Sequence, residues 1–161
     1  MADEMPQIQD SSDIATNLAA VRALIAAAAE AKGRLGESVT LIAVSKAQPV
    51  AKIGDALGAG HRMFGENRVQ EFEGKRPGLN LPGATFHLIG HLQSNKARKA
   101  VELFDRIDSV DSPSLAQRLG KIAEEAGREL PVLLQVHLGE ETAKSGVLPA
   151  EADETARQVA G

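Results

Sequence analysis

A chain of 161 residues fits one domain, since domains commonly run to roughly 100–200 residues, and leaves little room for accessory modules. With 18 Lys and Arg against 22 Asp and Glu the formal net charge is −4, so no broad field draws the chain to nucleic acid or to an anionic membrane surface. There is no Cys, which excludes disulfides, thiolate nucleophiles and thiolate metal centres, and 4 Phe without Tyr or Trp leave packing to aliphatic side chains and base stacking almost without means.

The opening MADEMPQIQD is acidic and lacks the basic and apolar regions of a secretory leader. No run approaches the ~18–20 apolar residues of a membrane span, so a soluble cytoplasmic protein is expected. From Ser12 to Lys32, Leu18, Val21, Leu24, Ile25 and Ala28 recur with a helical period that starts at Ser and Asp caps and stops at Gly33. Val39–Ser45 is mostly apolar and rich in β-formers, and reads as a strand buried on both faces, as in a parallel sheet.

The pattern then repeats. Helix Pro49–Leu57 is followed by strand Arg62–Phe64, helix Asn67–Lys75, strand Thr85–Ile89 and helix Ser94–Leu103. Strand Arg106–Val110, helix Ser114–Ala126, strand Pro131–Val136 and helix Ala150–Val159 complete the chain. Such alternation implies right-handed βαβ units in a parallel sheet, an α/β fold in a single domain over residues 1–161. Strand centres near Ala43, Met63, His87, Asp108 and Leu134 give a repeat of about 23 residues, compact for a βα unit. Eight units at that spacing need roughly 220 residues, so the fold is either an open five-stranded sheet or a partial (β/α)8 TIM-barrel-like domain truncated after its fifth unit.

Parallel α/β folds carry their chemistry at the C-terminal ends of strands. Strand 1 ends in Ala43-Val-Ser-Lys46, and alternation sets Lys46 in one row with Ile42 and Val44. A desolvated lysine loses proton affinity and becomes a nucleophile for aldehydes; the competing reading is a snorkelling surface lysine. Asn67, after Phe64-Gly65-Glu66, either caps the next helix or orients a ligand, and Gly65 permits close backbone approach. Gly90 with Ser94 and Asn95 forms an anion-friendly helix start. His87 and His91 span a strand end and turn with no evident third ligand, so no metal is expected. Lys96, Arg98 and Lys99 read as a solvated helix face, and Ser112-Pro113 as a helix cap and first turn. Lys144, in the turn Lys-Ser-Gly146, brings a second lysine towards the same end of the sheet, with an exposed loop lysine as the alternative.

Ala43-Val-Ser-Lys46, Phe64-Gly-Glu-Asn-Arg-Val-Gln-Glu71, His87-Leu-Ile-Gly-His-Leu-Gln-Ser-Asn-Lys96, Ser109-Val-Asp-Ser112 and Lys144-Ser-Gly146 together resemble the pyridoxal 5′-phosphate homeostasis protein family. The match is ordered and continuous from about residue 15 onwards, although no single motif is strong. The resemblance implies a (β/α)8 barrel of pyridoxal-phosphate fold type III, like the N-terminal domain of alanine racemase, with the cofactor at its C-terminal mouth. It implies that Lys46 carries pyridoxal phosphate as a Schiff base, that Asn67, His87, Ser109 and Lys144 are cofactor-binding, and that the role is cofactor buffering affecting vitamin B6 and amino-acid pools, without turnover. The alternatives are a racemase-like enzyme, a class I aldolase, or a truncated form that binds no cofactor.

Three departures stand out. Gln48 occupies a position where the family often has a lysine, and His137 replaces an asparagine. The family's phosphate-binding segments and an arginine facing the pyridine nitrogen, which lie in its last two strands, do not appear. The expected consequence is weaker cofactor retention, with open sheet edges that either associate with one another or leave the chain marginally stable.

Overall fold

The computed structural model describes residues 13–79, 81–139 and 145–160. Helix α1 (Ile14–Glu30) starts at Asp13, whose carboxylate accepts the N–H groups of Ala15 and Thr16. Its end is fixed at Gly33, where φ is +66° and the chain turns back so that the Arg34 N–H reaches the Ala29 carbonyl.

Five strands follow, β1 (Ala43–Val44), β2 (Met63–Glu66), β3 (Thr85–Leu88), β4 (Arg106–Val110) and β5 (Val132–Leu134). All pairs are parallel, in the order β1-β2-β3-β4-β5. The crossovers carry α2 (Val50–Gly58), α3 (Val69–Lys75), α4 (Ala97–Leu103) and α5 (Pro113–Glu125), and α6 (Ala152–Ala160) follows β5. A doubly wound sheet covers both faces by reversing its strand order, whereas right-handed crossovers between strictly sequential strands put every connecting helix on one face. The molecule is therefore the arc of a barrel. Its helices pack in sequence round the outside, α1 on α2, α3 on α4, α4 on α5 and α5 on α6.

The core lies between this outer layer and the sheet. Phe64, Phe86, Leu88 and Ile107 project from the strands to meet Ile53, Phe72, Val101, Phe104 and Leu119, all buried. Aliphatic side chains do not carry this core alone. All 4 Phe form one row, Phe64 to Phe86 at 5.5 Å, Phe86 to Phe72 at 4.7 Å and Phe72 to Phe104 at 4.8 Å between ring centroids. The opposite, inner face is concave, with a depression of about 460 Å³ lined by Ile42, Met63, His87, Arg106, Asp108 and Leu133 among others.

Several expected elements differ in extent. The first strand is paired only over Ala43–Val44, and Val39 and Val44 are exposed rather than buried on both faces. The reason is that β1 pairs with β2 alone, so its inner face and outer edge have no cover among the described residues. Strand β2 runs on to Glu66, while α3 starts at Val69 with Arg68 at its cap position, so Asn67 is not the helix cap. The helices expected from Ser94 and Ala150 each begin with a short 3₁₀ turn, Ser94–Lys96 and Pro149–Glu151. Ser112 does cap α5, accepting the Leu115 N–H.

Candidate cofactor site

Lys46 occupies the turn directly after β1, at the C-terminal end of the sheet, and is exposed. It is thus solvent-accessible rather than desolvated. What distinguishes it is the way the residues on either side are held. Ser45 is buried, and its hydroxyl donates to Glu66 Oε1 at 2.7 Å while its N–H donates to the Gly65 carbonyl at 2.9 Å. Ala47, on the other side, has φ +56°, a left-handed conformation that costs an L-residue roughly 1–2 kcal/mol. Its N–H donates to Glu71 Oε1 at 2.6 Å.

Lys75 joins these contacts. Its ammonium lies 2.9 Å from the Ser45 carbonyl, 3.1 Å from Glu66 Oε1 and 2.6 Å from Glu71 Oε1, so three acceptors meet its three N–H donors. Glu66 is fully buried, and a buried carboxylate requires such compensation. The hydrogen bonds from Lys75 and from the Ala47 N–H hold the Glu71 carboxyl below its ordinary range. Burial works against the Lys75 ammonium, but hydrogen bonds to Glu71 and Glu66 and their charge raise it above the ordinary lysine value.

On the inner face His87 Nδ1 sits 3.0 Å from Asp108 Oδ2, while Arg106 Nε is 2.7 Å from the other carboxylate oxygen, a close ion contact without hydrogen-bond angles. A carboxylate only accepts, so His87 donates its Nδ1–H to Asp108. Asn67 is half-buried beside the β3 turn: a Cβ on Gly90 would lie 2.3 Å from the Asn67 carbonyl oxygen. Ser109 is fully buried, and its hydroxyl donates to the Gly90 carbonyl at 2.7 Å, so it braces the same turn rather than offering its proton elsewhere.

His91 faces Asp111 at 3.1 Å and the Ser145 hydroxyl at 3.0 Å, both through Nδ1. A Ser–His–Asp relay needs one partner on each ring nitrogen, so this trio is not one. His87 and His91 thus serve separate carboxylates, and among the described residues no group of three His, Asp or Glu is placed to hold a metal ion. Arg98 and Lys99 form ion pairs with Glu125, Glu73 and Glu102 on the outer helices. Lys144 lies outside the described residues. Reading strand ends alone missed Ser45, Glu66, Glu71, Lys75 and Asp108; the available signals were the i,i+4 pair Glu71 and Lys75 and a carboxylate closing an apolar strand.

Residues 14–161 match the family profile described as alanine racemase, N-terminal domain. The chain belongs to that family. Within this alanine racemase N-terminal domain family it is 45 % identical over 155 residues to the pyridoxal phosphate homeostasis protein of Escherichia coli (strain K12), covering 92 % of this chain and 65 % of the relative. It thus spans about two thirds of that curated relative's length. The solved structure of PipY from Synechococcus elongatus PCC7942, with pyridoxal phosphate bound, shares 51 % identity at a TM-score of 0.72 over 84 % of this chain and 63 % of PipY. Alanine racemase of Clostridium difficile 630, in complex with cycloserine, is 16 % identical at a TM-score of 0.61 over 74 % of this chain and 32 % of the enzyme, a likeness of fold alone. The barrel-like arc of five parallel strands is the fold of this family. Among the described residues no helix is long and apolar enough to cross a membrane.

Proposed function

We propose that this chain binds pyridoxal phosphate and serves its homeostasis in the cytoplasm rather than an enzymatic turnover, with Lys46 as the covalent attachment point. The observation that carries the reading is an exposed lysine in a braced turn at the C-terminal end of β1, in a chain 51 % identical to a protein solved with this cofactor bound. The cofactor brings an aldehyde and a dianionic phosphate. The Lys46 amine condenses with the aldehyde, losing water and forming a Schiff base. Asn67 and His87 are the nearby groups proposed to flank the ring, Ser109 acts through the Gly90 turn that it holds, and Lys144 supplies a second amine.

The fit is good at the aldehyde end. The Ser45 hydroxyl and Ala47 N–H are already committed to Glu66 and Glu71, so the phosphate must draw on other donors. Racemisation needs a second acid–base group opposite the lysine, a tyrosine in the racemase reading, and these 161 residues contain none.

Borohydride reduction of the chain mixed with pyridoxal phosphate, followed by peptide mapping, tests the reading. The added mass is expected on the Lys46 peptide, and Lys46→Ala abolishes the visible absorption band. Label spread evenly over surface lysines, Lys96 and Lys99 included, overturns it, and stereospecific α-proton exchange that requires Lys46 restores the enzyme alternative.

A further inference from the structure

The Lys46 turn is braced on both sides by the side chains of Glu66, Glu71 and Lys75. Three observations converge there. Ala47 is the one non-glycine residue with positive φ among the described residues, and it directly follows Lys46. Its amide is held by the Glu71 carboxylate at 2.6 Å, and that carboxylate is itself fixed by Lys75 at 2.6 Å. Lys75 also reaches back 2.9 Å to the Ser45 carbonyl, the peptide oxygen immediately before Lys46, while Glu66 takes the Ser45 hydroxyl. The backbone is therefore tied at positions 45 and 47, and the Gln48 N–H, donating to the Ser45 carbonyl at 3.1 Å, closes the turn that carries Lys46 between them.

Hydrogen bonding to an ionised partner is stronger than a neutral bond, and an L-residue held left-handed reverts to extended or right-handed backbone once its restraint is lost. Either reversion re-aims the bond from which the Lys46 side chain projects. We propose that Glu71 and Lys75 are positioning residues that keep Ala47 left-handed and thereby aim the Lys46 amine at the mouth of the sheet, where an aldehyde is captured. This rests on the reading of Lys46 as the attachment point.

Glu71 is the residue to change, because Lys75 keeps Glu66 and the Ser45 carbonyl when Glu71 is gone and Glu66 stays paired. Four proteins are compared, the wild type, Glu71→Ala, Ala47→Gly and the double variant, each checked for native thermal unfolding. Two readouts are taken: amide exchange at position 47, and the share of borohydride-trapped pyridoxal phosphate on Lys46 relative to Lys52, an exposed lysine of α2. In Glu71→Ala the amide at position 47 is expected to exchange about tenfold faster or more, and the Lys46 share to fall several-fold. In the double variant the Lys46 share recovers, since glycine adopts positive φ without the brace, while the amide at position 47 remains unprotected. A merely structural role for Glu71 lowers the unfolding temperature but leaves the Lys46 to Lys52 ratio unchanged in all four proteins, and that outcome overturns the proposal. Slow exchange persisting in Glu71→Ala overturns it as well. Wild type unlabelled at Lys46 while Glu71→Ala exchanges faster at position 47 is a different result: it sinks the attachment reading and leaves the brace as backbone geometry alone.

Discussion

At Lys75 one ammonium answers two carboxylates and a carbonyl, and the asymmetry of burial decides what its loss does. Glu66 is fully buried and Lys75 is 14 % exposed, so removing the cation strands a charge that water cannot reach. Lys75→Met is accordingly expected to destabilise the chain by about 3 kcal/mol, read from urea unfolding, and an effect below about 1 kcal/mol would show that the buried carboxylate finds another partner. The pH dependence has two arms. Glu71 titrates below its ordinary value of 4.5, so its contribution is complete above that value and is lost as pH falls through the lower folded value. Lys75 titrates above 10.5, so its contribution is complete below that value and is lost as pH rises through the higher folded value. His61 adds to the acid arm. Burial and the nearby Arg22 and Arg62 push its protonated form down while its bond to the Met63 carbonyl opposes them, so its stabilising effect is present above 6.5 and lost on acidification.

Between β3 and the 3₁₀ turn at Ser94, Gly90 lets two strand ends close on each other. A Cβ there would sit 2.3 Å from the Asn67 carbonyl oxygen and 2.8 Å from its Cα, and backbone cannot swing aside as a side chain can. Gly90→Ala is expected to cost roughly 1–3 kcal/mol and to separate the β2 and β3 ends, seen as lost protection of the Ile89 amide that donates to the Glu66 carbonyl. An alanine variant with wild-type stability and exchange would contradict the close approach. Elements whose signal is local were legible before the fold was known: β4 spans Arg106–Val110 as its alternation indicates, and α5 starts at Ser112-Pro113, where hydroxyl and fixed φ both favour a helix start. The place of His87 in β3 was legible too. Its partner Asp108 was not, because the pairing depends on the register of two strands 21 residues apart. Likewise the brace round Lys46 requires β2 to continue to Glu66 and α3 to start at Val69, a shift of two residues at each boundary that propensity does not resolve. The burial expected of Val39–Ser45 fails for a related reason, since apolar composition says what a strand tolerates and only its neighbours decide what covers it.

Among the described residues the arc presents two strand edges and one uncovered face. β1 pairs only with β2 and β5 only with β4 among the described residues, and Val44, Met63 and Leu133 stand exposed on the concave side. Unpaired strand N–H and C=O groups beside apolar side chains are the surfaces through which sheets join. The isolated bridge between Val136 and Val147 covers only the extension of β5, not Val132–Leu134. A second copy of the chain supplies both an edge and an apolar face of matching kind, so self-association is the expected behaviour of these 161 residues in solution. Leu133→Lys tests this without touching the core, because Leu133 is 47 % exposed and its neighbours Val132 and Leu134 face the helices. In sedimentation velocity the wild-type mass is expected to climb with concentration, and the lysine variant to stay closer to monomer with an unchanged unfolding midpoint. A chain extended to roughly 220 residues, long enough for eight βα units, supplies the comparison, since closing the sheet removes both edges and should remove the association with them. The same pair of proteins separates cofactor retention from assembly. Each charge-assisted hydrogen bond to the phosphate is worth about 1.5–3 kcal/mol, so two or three further donors in the extended chain would tighten pyridoxal phosphate binding by several powers of ten while the Schiff base to Lys46 stays common to both. A 161-residue chain that remains monomeric across the concentration range and binds as tightly as the extended one would mean that the open arc is self-sufficient, and that the phosphate is held by donors within residues 1–161.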